Sequence, residues 1–183
     1  MGLSLVTPPA ATIVTLAEVK RYARILDNSF DDLLTDYIAA AQSQIETAMG
    51  RCLAPQTWKL TIDEFSDPIV LRKGPVTAVT SVKYFDTAGF QQTANPTLYT
   101  LDLISDPQWI VLNANATWPD TLDAINAVEI TFTAGYADVN NPAYKAAQTA
   151  IRALTLHWYE SGGVGTIPDG VHSIIFPHAN HGF

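Results

Sequence analysis

Two stretches of this chain repeat apolar residues at helical spacing, and the long stretch between them changes to alternation. In the first, Leu34, Ile38, Ala41, Ile45 and Met49 recur every three to four positions, with Leu33, Tyr37 and Ala48 beside them. In the second, Ala143, Ala147, Ala150 or Ile151, Leu154 and Trp158 form the stripe. Such periodicity predicts amphipathic helices. Neither stripe has local cover, so the two helices are predicted to pack on each other. Ala39, Ala40 and Ala41 would let another helix come close.

Local signals mark where the elements start and stop. Thr15-Leu16-Ala17-Glu18 fits a capping box, with Glu18 reaching back to the cap residue. A helix is expected from there to about Leu26, with Leu16, Val19, Tyr22 or Ala23, and Leu26 on one face. Ser29 is the expected cap of the next helix. Asp31 and Asp32 in its first turn suit the helix dipole better than they suit acid–base chemistry. Gly50 would end that helix. Asn141 as cap and Pro142 at the first position open the last one.

Between the helices, residues 57–62 (TWKLTI) alternate and favour strand. Residues 69–71 form a short apolar run, and Lys73-Gly74-Pro75 is a break. Residues 76–85 read as strand, anchored by Val76, Val79, Val82 and Tyr84. Asp86-Thr87-Ala88-Gly89 is a turn joining residues 84–85 to 90–93 as a hairpin. Residues 99–102 and 109–112 give two more strands, and 127–133 (AVEITFT) alternate most clearly. The loop 113–126 is polar and carries Trp118-Pro119.

The expected fold class is therefore α+β. A helical core of about three main helices carries an inserted antiparallel β-region and an extended C-terminal tail. One domain is expected over 1–183, divided into an N-terminal arm (1–14), core segments (15–51 and 141–161), a β-rich insertion (52–140) and a tail (162–183). Pro8-Pro9 keeps the arm from being helical. Gly162, Gly163 and Gly165 make a joint before the tail, whose Val171, Ile174, Ile175 and Phe176 would dock on their own domain or a neighbour.

Composition narrows the function. With 48% apolar and 15% charged residues, the 183-residue chain reads as folded. No run reaches the ~20 apolar residues of a membrane span. The N-terminus lacks the basic region of a signal peptide. Cys52 is the only cysteine, which rules out an intrachain disulfide and a four-cysteine zinc site and suggests a reducing compartment. The net charge is −8, with ten basic residues, so affinity for nucleic acid is not expected. The acidic balance instead suits a surface that DNA can pass without sticking.

Candidate chemistry is thin. Cys52 with His157 could form a nucleophile and base, but Cys52 reads more simply as a small hydrophobe after a helix end. His172, His178 and His181 could bind a metal, but they sit on a flexible segment without acidic neighbours. Asp63, Glu64 and Asp67 could hold a hard cation, although acids at a strand end usually just face solvent. Trp58, Trp109, Trp118 and Trp158 lie far apart in sequence and suit core or subunit contacts. The glycines at 162–165 follow a helix instead of leading into one, so they are no phosphate loop. No enzyme, cofactor or metal is expected.

The order of these pieces resembles the tailed-phage head–tail connector (head-completion adaptor) family, phage or prophage. The resemblance runs through residues 14–20 (VTLAEVK), 31–34 (DDLL), 38–41 (IAAA), Ile45-Glu46, Gly50-Arg51 and 56–58 (QTW). It continues through 74–76 (GPV), 81–84 (SVKY), Gly89, Thr93, Tyr99 and Asp102, then 127–128 to Gly135-Tyr136, 157–160 (HWYE) and the tail element Ile167-Pro168-x-Gly170-Val171. Relatives often end that element with an aromatic residue and an arginine, where this chain has Pro177-His178-Ala179-Asn180.

The resemblance implies a structural virion protein without catalysis. It implies a ring, of twelve copies, below the portal, through which genomic DNA passes without sequence-specific binding. The ring would extend the portal channel and join the capsid to stopper or tail-completion proteins, after assembly in the host bacterial cytoplasm. A tail-completion or terminator ring is the alternative, and a small enzyme using Cys52 and His157 is the competing class. The expected docking residues toward the portal or a neighbouring subunit are Ile167, Pro168, Gly170, Val171, Ile174, Ile175 and Phe176.

Overall fold

A computed structural model describes residues 1–180. The chain falls into two compact units: Met1–Pro9 with Pro55–Gly135, and Ala10–Ala54 with Tyr136–Phe183. The first is built of strands and the second of helices, so the α+β expectation holds.

In the helical unit, α1 (Leu16–Ala23) begins at the expected capping box. The Glu18 amide donates to the Thr15 hydroxyl, and the Glu18 carboxylate accepts from the Thr15 amide at 2.8 Å. The helix is shorter than predicted. It stops at Arg24, whose φ of 57° is left-handed, so Leu26 never joins the apolar face and is 96% exposed. The next helix, α2 (Asp31–Met49), is capped differently from expectation. The Ser29 hydroxyl donates to the Asp27 carboxylate, and Phe30 takes the cap position without a side-chain bond. Asp31 instead pairs with Lys20 of α1 at 2.6 Å. The expected stripe of Leu34, Ile38, Ala41, Ile45 and Met49 is buried throughout. Gly50 closes the helix at φ 63°, where a side chain would be strained.

The long helix α3 (Pro142–Ser161) starts as predicted, with the Asn141 side chain accepting from the Ala143 amide. It packs along α2, burying Ala147, Ala150, Ile151, Leu154 and Trp158. Tyr37 of α2 meets Trp158 edge to face with ring centres 6.0 Å apart. Gln42, nearly buried on α2, accepts from the Ile13 amide at 2.7 Å, and Gln148 of α3 donates to the Ile13 carbonyl. Those two bonds tie the residues before α1 into the core.

The tail departs from an extended segment. Residues Asp169–Ile175 form a short helix, α4, that packs on α3. Its Val171 and Ile175 join the buried cluster of the unit. The physical reason is burial: seven residues with a glycine and two adjacent isoleucines have weak helical propensity, and packing overrides it. The Asn180 amide then donates to the Met49 carbonyl at 2.8 Å, and Arg51 donates to the His178 carbonyl at 2.9 Å.

In the strand unit, the expected arm contributes β1 (Gly2–Thr7), which pairs with β2 (Gln56–Ile62). The remaining strands are β3 (Ile69–Leu71), β4 (Val76–Phe85), β5 (Gln91–Thr93), β6 (Tyr99–Asp102), β7 (Gln108–Leu112) and β8 (Val128–Ala134). They make a five-stranded sheet ordered β1-β2-β8-β4-β5 and a three-stranded sheet ordered β3-β7-β6, all antiparallel. β8 is central, and its inward residues alternate strictly: Val128, Ile130, Phe132 and Ala134. Ile130 sits between Leu60 and Val82, giving a buried apolar row across three strands. Gln108 of β7 links the sheets, accepting from the Val76 amide at 2.9 Å.

Candidate assembly surfaces

The residues considered for chemistry lie in unlike environments. Cys52 is a buried thiol, whereas His157 is exposed on α3. His172 is exposed and lies against Phe176 at 5.7 Å between ring centres; His178 is half-buried, and His181 lies outside the described residues. Asp63 accepts from the Asn126 amide, and Asp67 accepts from the Leu112 amide, so both hold loops. Among the described residues, no group of three or more His, Cys, Asp or Glu is arranged to hold a metal. No helix among them is long and apolar enough to cross a membrane.

The tryptophans divide by role. Trp158 belongs to the helical core. Trp118 is stacked on Phe65 with ring centres 4.4 Å apart and lies 5.7 Å from Tyr99, so the polar loop 113–126 is pinned to the strand unit by a stack of rings. Trp58 has the Lys73 ammonium 5.2 Å above its ring.

Trp109 donates to Asp102, which organises the tip between β6 and β7. One Asp102 oxygen accepts from the Ile104 and Ser105 amides, at 2.8 and 3.1 Å. The other accepts from the Ser105 hydroxyl at 2.6 Å and the Trp109 indole at 2.7 Å. These donors, led by the Ser105 hydroxyl, hold the Asp102 carboxyl far below the usual carboxylate range. The locked tip presents Leu103 and Ile104 outward, at 51% and 98% exposure.

The same unit holds an apolar depression of about 180 Å³. Met1, Gly2, Leu3, Leu60, Leu71 and Phe132 line it, together with Arg72, the charged residue of the lining. β1 borders it as an edge strand whose six residues are all exposed, including Leu3, Leu5 and Val6.

The proposed tail-docking residues separate into two sets. Val171 and Ile175 are spent on the helical core, and Ile167 and Ile174 pack against it. Gly170 and Phe176 face outward, and Pro168 is half-buried. Neither the β6–β7 tip nor the depression was foreseen. The sequence signal for the tip was two aliphatic residues in an acidic turn, Asp102-Leu103-Ile104-Ser105-Asp106. The depression draws on four separate segments and has no local signature.

The chain also resembles known proteins. Residues 13–96 match the phage gp6-like head-tail connector protein family. No curated protein matches the sequence. Among solved structures, a chain in the virion of the native gene transfer agent (GTA) particle matches with a TM-score of 0.78 and 25% identity, over 100% of this chain and 97% of that one. A chain in the neck of the empty GTA particle, computed with C6 symmetry, gives 0.77 and 26%, with the same coverage. One in the neck of the native particle, computed with C12 symmetry, gives 0.73 and 27%, again with that coverage. The family match spans α1, α2 and the strands β2 through β5, and the likeness of fold to the neck chains extends to the tail: the chain is similar to head–tail connector proteins of the phage gp6-like kind.

Proposed function

We propose that this protein acts as one connector domain in the neck of a phage or phage-like particle. Twelve copies form a ring below the portal, extend the DNA channel and offer a platform for stopper or tail-completion proteins. The observation that carries the reading is the whole-chain likeness to a neck chain computed with C12 symmetry. The role is structural, as it is for the family and the similar neck chains.

The chemistry of the chain agrees with that role. A closed ring needs two different, complementary patches on each copy. The exposed β1 edge, the β6–β7 tip and the outward face of α4 supply distinct surfaces of this kind. A net charge of −8 suits a conduit, because DNA slides past a wall that offers few cations to its phosphates. Outward-facing Phe176 and Gly170 are the part of the tail left to meet the portal, since Val171 and Ile175 already serve the helical unit.

The direct test mixes purified protein with portal-bearing capsids and images the product by electron microscopy. A twelve-fold ring at the portal vertex is expected. A ring found instead at the distal end of tails would transfer the protein to tail completion. Capsids that fill with DNA and join tails without the protein would refute the connector role. Phe176→Asp is expected to leave the fold intact while weakening portal attachment.

A further inference from the structure

We propose that the tip formed by Leu103 and Ile104 of one copy seats in the apolar depression beside β1 of a second copy. The two surfaces form a head-to-tail contact between identical chains. The inference deepens the ring reading above and rests on it, because it names the surfaces through which copies meet.

Three observations carry it. The tip is preorganised, with four hydrogen bonds to Asp102 fixing the turn while Ile104 stands 98% exposed. A rigid apolar projection loses little conformational freedom on docking, whereas its exposure to water is unfavourable. The depression has the right size: about 180 Å³ compares with the ~150 Å³ apolar cavity that accepts a benzene. A four-carbon isoleucine side chain therefore fits. The charges are also complementary. Residues 102–106 (DLISD) carry two carboxylates and no cation, while Arg72 is the charged side chain lining the depression.

Both features belong to the strand unit, so every copy carries one projection and one socket. A contact between unlike patches leaves each new copy with one of each still open. It propagates until the rotation per copy closes a ring. The β1 edge beside the socket would be covered by the same contact. An exposed edge strand with apolar residues needs such cover to avoid indiscriminate pairing.

The test uses the full chain. Ile104→Asp is compared with wild type by sedimentation velocity over a concentration series and by electron microscopy on portal-bearing capsids. The variant is expected to raise the dissociation constant between copies by about tenfold or more, since it places a charge where a buried aliphatic belongs. Separately, Ile104→Cys and Leu3→Cys variants are oxidised alone and mixed. Cys52 is buried and stays out of the reaction. A disulfide-linked pair forming only in the mixture supports the contact. Ile104→Asp associating like wild type, or a mixture that yields no linked pair, overturns it. If rings of Ile104→Asp still form on the portal, this contact falls and the connector reading stands. If wild type itself makes no ring there, the connector reading falls too.

Discussion

Ile175 in α4 gives the most direct measure of whether the tail is structural or merely adjacent. It is 1% exposed, while its neighbour Phe176 is 54% exposed. Ile175→Ala removes three carbons. At about 0.8 kcal/mol per buried carbon that is roughly 2.4 kcal/mol of lost transfer energy. The cavity left behind raises the usual cost to roughly 2–5 kcal/mol. A ceiling applies here, because α4 has only seven residues and can leave the core as a unit. Once the loss exceeds the docking energy of the segment, further truncation costs nothing more. We therefore expect about 2–3 kcal/mol for Ile175→Ala, with Val171→Ala/Ile175→Ala little worse than the single variant. Phe176→Ala should stay within about 0.5 kcal/mol. Urea unfolding followed by tryptophan fluorescence and circular dichroism reads these values, and protease sensitivity around residues 162–166 reports undocking directly. If Ile175→Ala matches wild type, or Phe176→Ala costs as much, the assignment of α4 to the core is wrong.

Other outcomes follow from the same structure. Thr15→Ala removes the capping box of α1 and should cost about 1 kcal/mol in thermal or urea unfolding. The Thr15 backbone amide holds the Glu18 carboxyl below its usual value of 4.5. The stabilisation from that carboxylate is thus complete above pH 4.5 and is lost as pH falls through the lowered folded value; Glu18→Gln should flatten that part of the stability–pH curve. Gln108→Ala leaves the buried Val76 amide without its acceptor, so a loss of about 1–3 kcal/mol is expected in the strand unit, together with faster hydrogen exchange at Val76.

Much of the fold was written in local pattern. The stripe from Leu34 to Met49 is long enough for a 3.6-residue period to be unambiguous, and β8 shows strict alternation because one face is buried and the other is not. Asn141-Pro142 and Gly50 act through their own backbone chemistry, so they are legible without context. The misread positions are those decided by competition. Ser29 was as good a cap as any, until Asp27 captured its hydroxyl. Residues 169–175 are weak helix formers, and packing against α3 and α2 makes them helical. The arm became β1 because β2 offers it a free edge. The candidate surfaces were less legible still. The tail residues were found by their greasiness, but greasiness alone does not separate Val171, turned into the core, from Phe176, turned out. The socket unites Leu3, Leu60, Leu71 and Phe132, and no linear pattern signals a meeting of four strands.

The exits of the strand unit have an evolutionary consequence. The inserted segment begins at β2 and ends at β8, and Gln56 lies opposite Ala134 on adjacent strands. Directly paired residues are only ~5 Å apart at Cα. A segment of about 80 residues thus enters and leaves through a gap that a short turn could bridge, the arrangement that lets domains be inserted, exchanged or lost. The exchangeable cassette is nevertheless larger than the insertion. Among the described residues β1 pairs with β2 alone, so a lineage that lost residues 55–135 would leave its first strand without that ladder. The N-terminal strand and the inserted segment should therefore appear, vary and disappear together, although nearly fifty residues of another unit separate them in the chain.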